Sequence, residues 1–200
     1  MSHASLLAGI ARKAIRIREK TNGDRESAES VATNKTDNGG YDKDGWNTPH
    51  EVASCLYELA DGRIGLDPCH NTTSILECNY TYDIREGQDG LNLPWGGKGL
   101  VFVNPPYSRG LLQDFAIKIE TEAGLGTEIV ALVPANVETA VWQEIFWEAS
   151  AVCFPDHRIK YLIDGKPRGV GLMGSGLPYF GTRPYSFANA FSKLGRIVTL

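Results

Sequence analysis

The sequence predicts an α/β domain with a largely parallel sheet, and three observations carry that prediction. Short, mainly apolar runs at 63–67, 100–103, 129–133 and 151–154 alternate with stretches of helical periodicity. Leu100–Val103 and Ile129–Val133 are apolar at every position, as strands covered on both faces are. Each run stops at a turn-forming residue or proline: Asp67-Pro68, Asn104-Pro105, Pro134 and Pro155.

Taken in order, Ser5–Lys20 places Leu6, Leu7, Ile10, Ala14 and Ile17 at helical spacing with basic residues between them, which predicts an amphipathic helix. Thr21–Gly45 is polar and rich in Asn, Ser, Thr and Gly, and reads as linker. Thr48-Pro49 ahead of Val52, Leu56 and Leu59 reads as an N-cap, a proline in the first turn and an amphipathic helix. Arg63–Asp67 is a short strand ending in a carboxylate, and Leu100–Val103 a central one. Leu111–Glu122 is a helix with Leu112, Phe115, Ala116 and Ile119 on one face. A strand over Ile129–Val133, a helix over Val137–Ala149 and a strand over Ala151–Phe154 follow. Arg158–Gly181, rich in Gly and Pro, is a hairpin or a long loop. The expected organisation is a basic N-terminal arm and flexible linker over 1–45 and one folded domain over 46–200.

Composition narrows the class. At 42% apolar and 22% charged residues, the chain has enough core to fold. No apolar run approaches the roughly 18 residues of a membrane helix. The charges near Ser5–Ala11 follow the apolar stretch instead of preceding it, unlike a secretory signal, so a cytoplasmic location is expected. The four cysteines lack CxxC pairs and read as reduced, mostly buried thiols. A metal site from Cys69 and His70 with Cys55, Cys78 or His50 is weighed and set aside, so no metal is expected. Charge is segregated: 16 acids and 5 bases over Trp46–Asp156, 7 bases and one acid over His157–Leu200. That basic stretch is a candidate phosphate-binding face, with Arg158, Lys160, Lys166, Arg168 and Arg183 as its contacts and the Arg12–Lys20 helix as a second one. The alternative is a folded surface that intermixes both segments.

One tetrapeptide carries the chemistry: Asn104-Pro105-Pro106-Tyr107, directly after a buried strand. Ligands of open parallel sheets bind beyond the carboxyl ends of the strands. The two prolines fix the backbone and remove donors, Asn104 adds a side-chain carbonyl, and Tyr107 adds a flat ring. Such a rim suits an exocyclic amine on a planar base. If the Asn104 side chain and the Pro105 carbonyl accept both amine hydrogens, the nitrogen lone pair turns outward and can attack an electrophilic methyl. Tyr107 would then stack on the base.

These residues resemble the phage-type DNA N6-adenine methyltransferases, over Trp46 to about Leu200. Trp46-Asn-Thr48-Pro49 resembles the family's opening segment, Gly65-Leu66-Asp67-Pro68-Cys69 its first-strand motif, and Asp89-Gly90-Leu91 with Trp95 the motif ahead of the catalytic strand. Asn104–Tyr107, extended by Ser108, resembles the catalytic motif. Phe154-Pro155-x-x-Arg158-Ile159-Lys160-Tyr161 and Leu177–Gly181 resemble later segments. The resemblance implies a Rossmann-like S-adenosylmethionine-dependent methyltransferase fold and methyl transfer to the 6-amino group of adenine in double-stranded DNA, with the adenine flipped out. It implies catalytic roles for Asn104, Pro105, Pro106 and Tyr107. It places S-adenosylmethionine against Trp46, Thr48, Pro49, Asp67, Pro68, Asp89 and Asn104.

The sequence departs from the pattern in two places. The turn after Asp67, Pro68-Cys69-His70-Asn71-Thr72-Thr73, lacks the glycines that let backbone approach the cofactor. The short span from Asp67 to Asn104 leaves little room for a second strand and its ribose-binding acid, for which Glu77 and Asp83 both qualify. Other planar amines (cytosine N4, RNA adenine, a protein glutamine) are alternative acceptors. A non-catalytic DNA-binding module of the same fold is the alternative from another class.

Overall fold

The structure is a computed structural model that describes residues 3–29, 46–107, 110–167 and 173–200. Its centre is an eight-stranded sheet. In chain order the strands are β1 (Ile64–Asp67), β2 (Cys78–Thr81), β3 (Val101–Val103), β4 (Ile129–Ala131), β5 (Val133–Pro134), β6 (Ala151–Pro155), β7 (Leu162–Ile163), β8 (Lys166–Pro167), β9 (Ser175–Phe180) and β10 (Gly195–Thr199). Across the sheet the order is β10-β6-β9-β4-β3-β1-β2, with β5 also on β9; β7 and β8 form a separate hairpin. Strands β2, β1, β3 and β4 pair in parallel, and β9 and β10 run against their neighbours. The mixed α/β class and the mostly parallel sheet agree with the prediction.

Helices α1 (His3–Glu29), α2 (His50–Leu59), α3 (Leu111–Gly124), α4 (Ala140–Glu144) and α5 (Pro184–Phe191) lie over the sheet. One core layer packs α2 and α5 through Leu56, Phe187 and Phe191 onto Phe102, Val130 and Tyr179. The other packs α3 and α4 through Phe115, Ile119 and Trp142 onto Val101, Val103 and Ala131. Alternate residues of β3 and β4 thus point to opposite layers, which is why these strands are apolar throughout.

Several elements differ from expectation. A second strand does fit between Asp67 and Asn104: β2 pairs with β1 in parallel, reached by a turn without a helix. The run Ile129–Val133 splits at Leu132, beyond which the chain leaves β3 while its pairing with β9 continues in the same register. The helix over 137–149 shrinks to α4 and a 3-10 turn at Phe146–Glu148. That segment is crowded with β-branched and aromatic residues of modest helix propensity. Burial of Trp142, whose indole N–H donates to Pro134 O at 2.7 Å, sets its path instead.

Helix α1 continues nine residues into the stretch read as linker, and residues 30–45 lie outside the described ones. It docks on the body: Ile17 is fully buried among the residues of the second layer. Its bases meet the acids of α3, α4 and the turn beyond. Lys13 reaches Glu120 at 2.7 Å, Lys20 and Arg16 reach Glu144 at 3.2 and 3.5 Å, and Arg18 reaches Asp114 at 3.6 Å. The acidic middle of the chain attracts its own basic helix, so these charges help dock it on the body.

Candidate active site

The site forms where the chain changes direction across the sheet. From β1 it steps to β2 on one side and then returns to β3 on the other. Such a switch point leaves a crevice beyond the carboxyl ends of the two central strands. Here the crevice is a cleft of about 600 Å³. Asp67 ends β1 on one wall and Asn104 follows β3 on the other. Trp46, Thr48, Pro68, Asp89 and Pro106 complete the ring, so the cleft gathers most of the residues assigned to the cofactor. Pro49 is not among its walls; it serves as the N-cap residue of α2.

The orientation of Asn104 is set by its partners. Its Nδ2 donates to Trp46 O at 2.9 Å and faces Thr48 Oγ1 at 3.4 Å. A backbone carbonyl can only accept, so the amide nitrogen must face it and Oδ1 must point away. Thr48 therefore does something other than predicted. It makes no side-chain cap on α2 and instead lies against the Asn104 amide.

Tyr107 also departs from expectation. Neither it nor Pro105 lines the cleft; Pro105 is buried, and the Tyr107 hydroxyl turns inward, 3.0 Å from Leu132 O, 3.1 Å from Tyr161 OH and 3.3 Å from Asn104 Oδ1. Tyr161 continues the chain to Ser175 Oγ at 3.1 Å. Burial pushes the Tyr107 phenol well above its ordinary value, so it stays a proton donor. Both Leu132 O and Asn104 Oδ1 can only accept, so the hydroxyl proton is shared between them, and Oδ1, with two lone pairs, keeps one open. Trp46 packs at a tilt against Tyr161 with ring centroids 5.4 Å apart, and its indole nitrogen is buried without a partner.

The glycine that the first-strand turn lacks is supplied from elsewhere. A Cβ at Gly90 would overlap the Pro68 carbonyl, so only glycine lets the 89–91 loop close on that turn. Buried Trp95 holds the loop there, donating to Gly90 O at 2.8 Å. Asp89 Oδ1 accepts from Leu91 N at 2.9 Å, and its Oδ2 accepts from Asn92 Nδ2, so this carboxylate also fastens its own loop. The turn itself is braced by Asn47, which accepts from Asn71 and donates to Thr73, both at 2.7 Å.

Of the two candidate ribose acids, the structure brings Asp83 to the cleft. It sits just past β2, almost fully buried, clasped by Arg85 through Nε at 3.0 Å and Nη2 at 2.7 Å. The guanidinium holds its carboxyl below the usual range. Glu77 instead pairs with Arg63 at 3.1 Å on the surface. Sequence reasoning missed Arg85 and His70 as wall residues; a base two positions after the Asp83 carboxylate was the only signal for Arg85.

The expected DNA contacts separate. Asp164 and Gly165, both at positive φ (51° and 70°), turn β7 into β8, and Asn47 bridges to Leu162. Ile163 and Asp164 line the cleft, so the hairpin stands at its rim with exposed Lys166 paired opposite Ile163. Arg158 and Lys160 are exposed on the segment leading there from β6. Arg168 and Ser108 lie outside the described residues. Arg183 is at the far end. Phe180 pairs with Ile129 at the start of β4, and Arg183 beyond it binds Glu128 at 3.0 Å and Leu59 O at 3.1 Å. It is a brace across the amino ends of the strands, so its assignment to the DNA face is corrected.

The family model for DNA N-6-adenine-methyltransferase (Dam) matches residues 35–171 of this chain. The chain belongs to that family. No curated protein and no solved structure matches it. The family supports DNA adenine methylation as the shared activity, and its match spans the cleft, the Asn104–Tyr107 segment and the rim hairpin. All four cysteines are free thiols. Among the described residues no helix is long and apolar enough to cross a membrane.

Proposed function

We propose that this chain transfers a methyl group from S-adenosylmethionine to the 6-amino group of adenine in DNA, acting in the cytoplasm on a base turned out of the duplex. The observation that carries the reading is the fixed Asn104 amide at the switch-point cleft, with its nitrogen tied to Trp46 O and its oxygen, which takes one contact from the Tyr107 hydroxyl, keeping a second lone pair to accept with.

The cleft suits the donor molecule in three respects. Gly90 lets backbone close tightly on the β1 turn. An acid stands at the end of β1 and another past β2, the second positioned for a ribose diol. Leu91, Phe115 and Pro106 offer apolar wall for a purine. Bound there, S-adenosylmethionine supplies an electrophilic methyl. The chain's own task is then to hold the adenine amine. Asn104 Oδ1 accepts one of its hydrogens, which withdraws the lone pair from the ring and aims it outward. Trp46 O and Thr48 keep the amide from flipping as the bond forms. Asp67 and Asp89 serve the methionine and adenine ends of the cofactor, and Arg158, Lys160, Lys166 and Arg168 serve DNA phosphates.

Nucleoside mass spectrometry after incubation with DNA and S-adenosylmethionine tests the reading. 6-Methyladenine is expected. 4-Methylcytosine alone, a methylated RNA or protein with unmodified DNA, or no methylation at all overturns it.

A further inference from the structure

The turn after β1 has used up most of the backbone donors with which an anion is ordinarily held. Cys69 N–H donates to Asp67 Oδ1 (2.9 Å), His70 N–H to Tyr82 O (3.1 Å), Thr73 N–H to Asn71 Oδ1 (3.0 Å) and Ser74 N–H to Asn71 O (3.0 Å). Every residue of the turn from 68 to 74 also carries a Cβ, which keeps a ligand off the backbone. A carboxylate entering the cleft must therefore be met by a side chain. It also meets an unfavourable field, because Asp67, Asp83, Asp89 and Asp164 line the walls against two bases, Arg85 and His70. Arg85 is committed to Asp83 by its two-pronged contact. That leaves His70. Its Nδ1 is buried with no hydrogen-bond partner, 3.7 Å from Asp67 Oδ2. Nε2 lies across the ring, on a side chain that keeps 22% of its surface open in the cleft. The Asp67 carboxylate raises the imidazole pKa above its ordinary value, against the opposing effect of burial.

We propose that His70 is a cofactor-binding residue that receives the carboxylate of the methionine end, doing with a side chain what a glycine-rich turn does with bare backbone. Asp67 holds the ring and keeps the imidazolium charged, and Nε2–H donates to the carboxylate. The proposal rests on S-adenosylmethionine being the cofactor, and the test separates the two.

Calorimetry compares S-adenosylhomocysteine with its decarboxylated analogue, which keeps the ammonium. Wild type is expected to prefer the carboxylate form, and His70→Ala to lose about 10- to 100-fold in affinity for that form alone, as for loss of a charge-assisted hydrogen bond. His70→Gln, which retains a neutral donor, recovers part of the preference. If His70→Ala keeps the full preference, or weakens both ligands by one factor, the carboxylate role is overturned. If wild type binds neither ligand, the cofactor reading itself falls.

Discussion

Two arginine–carboxylate forks stand at opposite ends of the sheet, and they differ in what surrounds them. At the amino ends, Arg183 holds Glu128 through Nε at 3.1 Å and Nη2 at 3.0 Å, and Tyr179 OH donates to the same carboxylate at 2.6 Å. The Arg183 amide donates back to Tyr179 OH at 2.9 Å, and a guanidinium N–H reaches Leu59 O, so each of these groups is met by protein although the Arg183 side chain stays 40% exposed. At the carboxyl ends, Arg85 holds Asp83 just as closely, but on a cleft wall beside His70, with buried ring nitrogens of His70 and Trp46 that have no partner. Buried polar groups are nearly always paired; Trp46 Nε1 and His70 Nδ1 are exceptions at this end, as are Gln113 Nε2 and Glu120 Oε2 on α3. The pairing of arginine with carboxylate is the same in both places. Strand direction decides which fork is structure and which is site.

Breaking each end in turn should separate activity from stability. The largest effect is expected at Asn104. Asn104→Ala removes an acceptor needed most as the amine becomes nucleophilic, and should lower turnover by about 2–4 kcal/mol in activation free energy. Unfolding midpoints should move little. Steady-state rates paired with urea melts check this, and a variant that keeps near-normal turnover removes Asn104 from the chemistry. At the opposite end the pattern should invert. Glu128→Ala strands Arg183 and the Tyr179 hydroxyl together, and should cost about 2–3 kcal/mol of stability while the rate per folded molecule holds. Equal losses of rate and stability would mean that the two ends are coupled.

The same contrast sorts the basic residues. Lys166→Glu on the rim hairpin should leave one DNA phosphate without its cation, making the slope of log affinity against log salt shallower by about 0.9. Arg183→Glu, on the far face, should leave the slope alone while lowering the melting temperature. Salt titrations of both variants decide the matter. A shallower slope in Arg183→Glu would return that residue to the DNA face.

How far the sequence revealed this depends on the range of each rule. Asn104–Tyr107 after an apolar strand, and Asp67 at the end of another, were legible because strand ends are local and the sheet's ligand end follows from chain direction. Asp83 over Glu77 was not legible, since the register of β2 alone places one in the cleft and the other on the surface. Thr48 before Pro49 satisfied every local rule for a cap, and tertiary contact with Asn104 overrode it. Arg183 and Lys166 look alike in a basic stretch. An antiparallel strand between them carries them to opposite ends of the sheet. Gly90 replaces the missing glycine turn from more than twenty positions away, a contact visible only once the backbone is folded.

The smallest expected effect is a pH dependence near the cleft. His157 lies between Asp156 Oδ1, 2.7 Å from Nδ1, and Glu51 Oε2, 3.0 Å from Nε2. It thereby links the loop after β6 to the first turn of α2, the helix that Thr48 and Pro49 precede. The Asp156 contact first, and Glu51 next, raise its pKa above the ordinary histidine value. A histidine whose folded pKa is raised contributes stability that is fully present below its unfolded pKa, about 6.5. That contribution disappears as pH climbs through the higher folded value. At 44% side-chain exposure, solvent screening keeps it under about 1 kcal/mol. Wild type should therefore exceed His157→Asn in stability by the widest margin near pH 5.5, and the gap should close by about pH 9. Urea unfolding of both proteins at the two pH values measures the gap. A margin that is constant, or that widens as pH rises, would show that His157 is not held as an imidazolium between the two carboxylates.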